Sequence, residues 1–133
     1  MSVVVGYLPT REGKQGISSA IDEAQGRGTP LIIVVSEKST PSDQERQARD
    51  EDLHRIIGQA QDVGVATHVE VLSERRDVAD DLIAVAGEHN ADVIVIGLRR
   101  RSPVGKLILG SNAQRILLDA PCPVLAVKPA RPA

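Results

Sequence analysis

Val93-Ile94-Val95-Ile96 is an unbroken β-branched run, and Gly97 closes it. A strand that is apolar on both sides has no face to offer solvent. It belongs inside a parallel sheet with helices on both faces. Similar runs recur at Val3-Val4-Val5, Leu31-Ile32-Ile33-Val34-Val35 and Val124-Leu125-Ala126-Val127. The chain has no Phe, no Trp and a single Tyr. Val, Ile, Leu and Ala must therefore fill the core, which suits such a sheet.

Helical patterns separate these runs. Ile17, Ala20, Ile21 and Ala24 make one stripe at i, i+3, i+4, i+7, and Gly26 and Gly28 are expected to close that helix. Ser42 and Glu45 have the capping-box spacing. The helix they open is first charged (Glu45, Arg46, Arg49, Asp50, Glu51, Asp52), then amphipathic at Leu53, Ile56, Ile57 and Ala60, and it stops at Gly64. Its charged half reads as a solvated face. Residues 66–72 set His68 and Glu70 against Val69 and Val71, the pattern of a half-exposed edge strand. Asp77 precedes a helix carrying Val78, Leu82, Val85 and Ala86. Ser111 and Gln114 repeat the capping-box spacing, so Ser111 is expected to start the last helix. Ala120-Pro121-Cys122-Pro123 stops it.

The order is β-α-β-α-β-α-β-α-β. At 133 residues it reads as one α/β domain over residues 1–133. Right-handed crossovers give three layers, with helices on both faces of a five-stranded parallel sheet. Ligands in such folds sit beyond the carboxyl ends of the strands. That points to the loops Leu8–Gly13 and Gly97–Gly110.

The net charge of −2 supplies no general drive toward nucleic acid or anionic membrane. No apolar run reaches membrane-spanning length, and Met1-Ser2-Val3 lacks the basic start of a signal peptide. Cys122 is the sole cysteine, which excludes an intrachain disulfide. A cytoplasmic protein is expected.

The Gly97–Ser111 segment can meet an anion. Gly97 and Gly110 permit close backbone approach, and the N–H and hydroxyl of Ser111 would face the charge. Arg99, Arg100, Arg101 and Lys106 add cations. A solvated basic loop that binds nothing fits the same residues equally well. Known phosphate fingerprints do not match. Around Gly105-Lys106 a P-loop would need glycine at Arg100 and a hydroxyl at Leu107, and no G-x-G-x-x-G follows the first strand. His54, His68 and His89 are scattered and form no H-E-x-x-H, so no metal set is expected. His54 and His68 read as surface residues, and Cys122 as a buried, inert thiol. Asp80 and Asp81 are helix neighbours that point to different azimuths. No catalytic group can be named.

Three segments resemble the universal stress protein family: Ala91-Asp92-Val93-Ile94-Val95-Ile96-Gly97, the Leu107–Leu117 stretch containing Gly110-Ser111, and Ala120-Pro121-Cys122-Pro123-Val124-Leu125-Ala126-Val127. The resemblance spans Val3 to Val127. It implies a sheet of strand order 3-2-1-4-5 and a homodimer paired through the last strand, Val124 to Val127. For one branch it also implies ATP, with or without Mg2+, held by a G-x-x-G-(nine residues)-G-[S/T] loop. Carried over, that loop begins at Gly97 and ends at Gly110-Ser111, followed by Asn112. Its second glycine falls on Arg100, flanked by Arg99 and Arg101. The acidic residue that relatives place after strand one falls on Leu8, followed by Pro9-Thr10. Val34 or Val35 would supply the adenine contact. Two readings follow: an ATP-binding, non-enzymatic stress-response regulator, or a dimeric interaction module of the same family with a degenerate site. A slow ATPase is a third, without a nameable base.

Overall fold

The computed structural model describes residues 1–37, 41–73, 77–98 and 109–129. Five strands and four helices alternate: β1 (Ser2–Gly6), α1 (Arg11–Arg27), β2 (Leu31–Ser36), α2 (Asp43–Asp62), β3 (Thr67–Leu72), α3 (Val78–Glu88), β4 (Ala91–Gly97), α4 (Ser111–Asp119) and β5 (Val124–Val127). The sheet is parallel throughout, in the order β3-β2-β1-β4-β5, as expected.

Alternate side chains of the three central strands supply two cores, because successive residues of a strand point to opposite faces. Val3, Val5, Leu31, Ile33, Val35, Val93 and Val95 meet α1 and α2 on one face. Val4, Ile32, Val34, Ile94 and Ile96 meet α3 and α4 on the other. The stripe Ile17, Ala20, Ile21 and Ala24 is buried against the first face. Among the described residues, no helix is long and apolar enough to cross a membrane.

The caps decide where the helices begin and end. Thr10 caps α1, its side chain accepting the Gly13 N–H at 3.1 Å. Ser42 caps α2 in the same way through the Glu45 N–H, also at 3.1 Å. Two expectations need correction. Gly26 lies inside α1, and Gly28 alone caps it, in the left-handed region at φ 66°. Gly110, not Ser111, is the N-cap of α4. Its backbone is extended, and its carbonyl already accepts the Gln114 N–H at 3.0 Å, so Ser111 is the first helical residue. Arg115 then ties α4 to the start of α3, pairing with Asp77 and Asp80 as well as with Asp119.

β5 is an edge strand. Leu125 on it, and Leu117 and Leu118 on α4, are exposed apolar side chains.

Candidate functional site

A cleft of about 540 Å3 opens beyond the carboxyl ends of β1 and β2, under the first half of α2. Tyr7, Leu8 and Pro9 line it from the chain leaving β1, and Val35, Ser36 and Glu37 from the end of β2. Glu45, Arg46, Arg49 and Asp52 come from α2, and Lys14 from α1.

Two polar ties hold its walls. The Tyr7 hydroxyl donates to Asp52 at 2.8 Å. Burial, then that hydrogen bond to a carboxylate, pushes the Tyr7 hydroxyl up to about 12. Burial alone would raise Asp52. The hydrogen bonds from Tyr7 and Arg55, with the Arg55 charge, outweigh it and hold Asp52 below its usual range. The second tie is the ion pair of Arg49 with Glu37, which lowers the Glu37 carboxyl and raises the Arg49 guanidinium. On the α3 face of the sheet, Ser36 donates to the buried Asp81 at 2.5 Å, while Asp80 turns to Arg115.

The charged half of α2 is therefore not simply a solvated face. Stepping back along the helix from the apolar stripe Ala60, Ile56 and Leu53 leads to Asp52, Arg49 and Glu45. The same periodicity carries these residues over the sheet edge. That extension was the available signal for them. Tyr7 and Glu37 had none, since their partners lie 45 and 12 residues away.

The residues expected to bind a ligand are distributed as follows. Leu8, Pro9 and Val35 line the cleft. Val34 does not. It packs into the opposite core, and its carbonyl accepts the Tyr7 N–H at 2.8 Å. Thr10 is occupied as the α1 cap but also lines a shallower groove of about 410 Å3 with Pro9, Arg11 and Lys14. Gly110, Ser111 and Asn112 form the N-terminus of α4, where no side chain caps the backbone. Among the described residues, a Cβ on Gly110 would meet nothing within 4 Å. Gly97 is different. A Cβ on it would collide with the Glu12 carbonyl oxygen, and a Cβ on Gly16 would sit 3.3 Å from the Gly97 nitrogen. Close approach of α1 to the end of β4 thus accounts for Gly97. Arg99, Arg100, Arg101 and Lys106 lie outside the described residues.

The described walls carry Lys14, Arg46 and Arg49 against Glu37, Glu45 and Asp52, so the charges balance. This part of the cleft suits a neutral, partly apolar body with hydrogen-bonding edges. A polyanion is better served by the open backbone N–H groups at the start of α4. Cys122, expected to be buried, is half-buried; burial raises its thiol and favours the neutral form.

The fold is an α/β domain with a crevice at the carboxyl ends of its strands, the place where such folds hold ligands. The sequence profile of the Universal stress protein family matches residues 1–128, and the chain belongs to that family. A universal stress protein of Mycolicibacterium smegmatis is 38% identical over 127 residues, covering 96% of this chain and 97% of that protein. A universal stress protein structure from Archaeoglobus fulgidus superposes with a TM-score of 0.78 at 32% identity, covering 96% of this chain and 98% of that one. Another from the same organism, solved in complex with dAMP, gives 0.75 at 26% identity, with the same coverage.

Proposed function

We propose that this single domain, residues 1–133, binds an adenine nucleotide and acts as a non-enzymatic regulator in the cytoplasm. The base and sugar enter the cleft against Leu8, Pro9 and Val35, where Glu37 and Asp52 can accept hydrogen bonds. The phosphates lie toward Gly110, Ser111 and Asn112. ATP, with or without Mg2+, is the favoured ligand, because a chain of phosphates suits the backbone N–H groups at the start of α4 while the base suits the charge-balanced cleft. The observation that carries this reading is the N-terminus of α4, where among the described residues no side chain caps the backbone and nothing crowds Gly110. The dAMP complex of the Archaeoglobus fulgidus relative supports it. Calorimetric titration with ATP, with and without Mg2+, tests it. Saturable one-to-one binding is expected, and no heat at millimolar ligand would remove the proposal.

Two copies are proposed to pair through Val124 to Val127. An apolar edge strand beside the exposed Leu117, Leu118 and Leu125 needs a cover. Sedimentation of a monomer at micromolar concentration would contradict that.

A second reading, the nucleotide-free interaction module, is favoured by one finding. Gly97 is required by helix packing whether or not a ligand binds. It predicts no adenine absorbance in an acid extract of the purified protein.

A further inference from the structure

At the opposite end of the sheet from the cleft, three metal-ligating side chains converge. Strand register aligns His68 and Glu70 of β3 with Ile32 and Val34 of β2, whose side chains belong to the α3 face. His68 and Glu70 therefore project toward α3, whose C-cap is His89. His89 Nε2 lies 2.7 Å from Glu70 Oε1, and His68 Nε2 lies 3.4 Å from the same oxygen. One ligand atom from each residue lies within 4.8 Å of the other two. The imidazole rings are 5.8 Å apart, inclined at 46°.

The geometry points to a binding site for one divalent transition-metal ion of the zinc type, with His68, Glu70 and His89 as ligands and water completing the shell. Three features carry this. Two imidazoles and one carboxylate are a donor set that suits Zn2+ and its neighbours, whereas Mg2+ and Ca2+ prefer all-oxygen shells. The spacing is close to what a tetrahedral ion needs: ligands at the usual zinc distances stand about 3.3 Å from one another. The frame is also fixed before any ion arrives. The His89 N–H donates to Val85 at 3.0 Å, and the Ser2 hydroxyl donates to the His89 carbonyl at 3.2 Å. Glu70 sits in a hydrogen-bonded ladder of β3 on β2. Only the side chains of His68 and Glu70 must turn to admit an ion. With His68 58% exposed and His89 32%, the ion has an open path from solvent.

His89 and His68 both contact Glu70 directly. His54, on the exposed side of α2, has no such neighbours within the cluster and serves as the control.

The test is titration of tag-free, nucleotide-free protein with Zn2+ alone, followed by Co2+, whose visible absorption reports nitrogen and oxygen ligation. One ion per chain is expected. His68→Ala and His89→Ala should each weaken binding by more than the roughly 100-fold that loss of an outer hydrogen bond to a ligand costs. His54→Ala should bind as the parent does. His68 is exposed, so His68→Ala keeps its fold by circular dichroism and carries the test if His89→Ala does not. No saturable Zn2+ binding, or binding that His68→Ala leaves unchanged, would overturn the site.

Discussion

Gly97 and Gly110 bracket the same loop, yet their surroundings differ in kind. At Gly97 the backbone of α1 presses so close that a methyl group would strike the Glu12 carbonyl. At Gly110 the same methyl group would meet none of the described residues. In a sequence the two glycines look alike, and both fit a phosphate loop. In the folded chain one is demanded by helix packing, while the other is free to be read by a ligand. Glycine spacing alone therefore overstates the case for a nucleotide site, and the open end, not the packed one, carries it.

The contrast can be broken most severely at the packed end. Gly97→Ala sets new side-chain volume against backbone that has no rotamer to yield. A loss of about 3 kcal/mol is expected, at the upper end of overpacking costs, and urea unfolding measures it. A loss below about 1 kcal/mol would mean that α1 moves easily and that Gly97 is not held by packing.

A smaller effect is expected in the wall of the cleft. Tyr7→Phe removes a hydrogen bond to a carboxylate and should cost about 1.5–2 kcal/mol at neutral pH. The pH dependence has two edges. The Tyr7 hydroxyl is raised, so its contribution is complete below the ordinary value of 10.0 and is lost as pH climbs toward about 12. Asp52 is lowered from 3.8, so its contribution is complete above that value and fades as pH falls through the lowered one. Tyr7 is the sole tyrosine, and ultraviolet titration of the native protein reports it directly. A midpoint near 10 would contradict the Asp52 tie.

The smallest change in stability belongs to the open end. Gly110→Ser places a favourable N-cap residue where there is room. Stability should change by less than about 0.5 kcal/mol. ATP affinity should nevertheless fall by about tenfold, a loss of roughly 1.4 kcal/mol, because the hydroxymethyl group occupies space proposed for phosphate. Equal affinity in parent and variant would place the phosphates elsewhere.

The fold was largely legible in the residue pattern. β-branched runs without a polar face leave few options, and Val93 to Ile96, Leu31 to Val35 and Val124 to Val127 all became strands of the expected sheet. The site was less legible because its contacts are made between distant elements. Tyr7 and Asp52 are 45 residues apart, and Glu70 and His89 are 19 apart. Neither distance carries a local period. Charge on the first half of α2 suggested solvent, whereas helical geometry turns Arg49 and Asp52 toward the ends of β1 and β2. Val34 and Val35 were interchangeable as text. The two-residue period of a strand places one in each core, and only Val35 reaches the cleft.

The arrangement of the ligand is tested most directly by following backbone amide resonances of the 15N-labelled protein as ATP is added. Shifts should concentrate at two places: Tyr7, Leu8 and Val35 for the base, and Ser111 and Asn112 for the phosphates. Saturable shifts that leave both Ser111 and Asn112 unmoved would contradict the account, whatever the affinity.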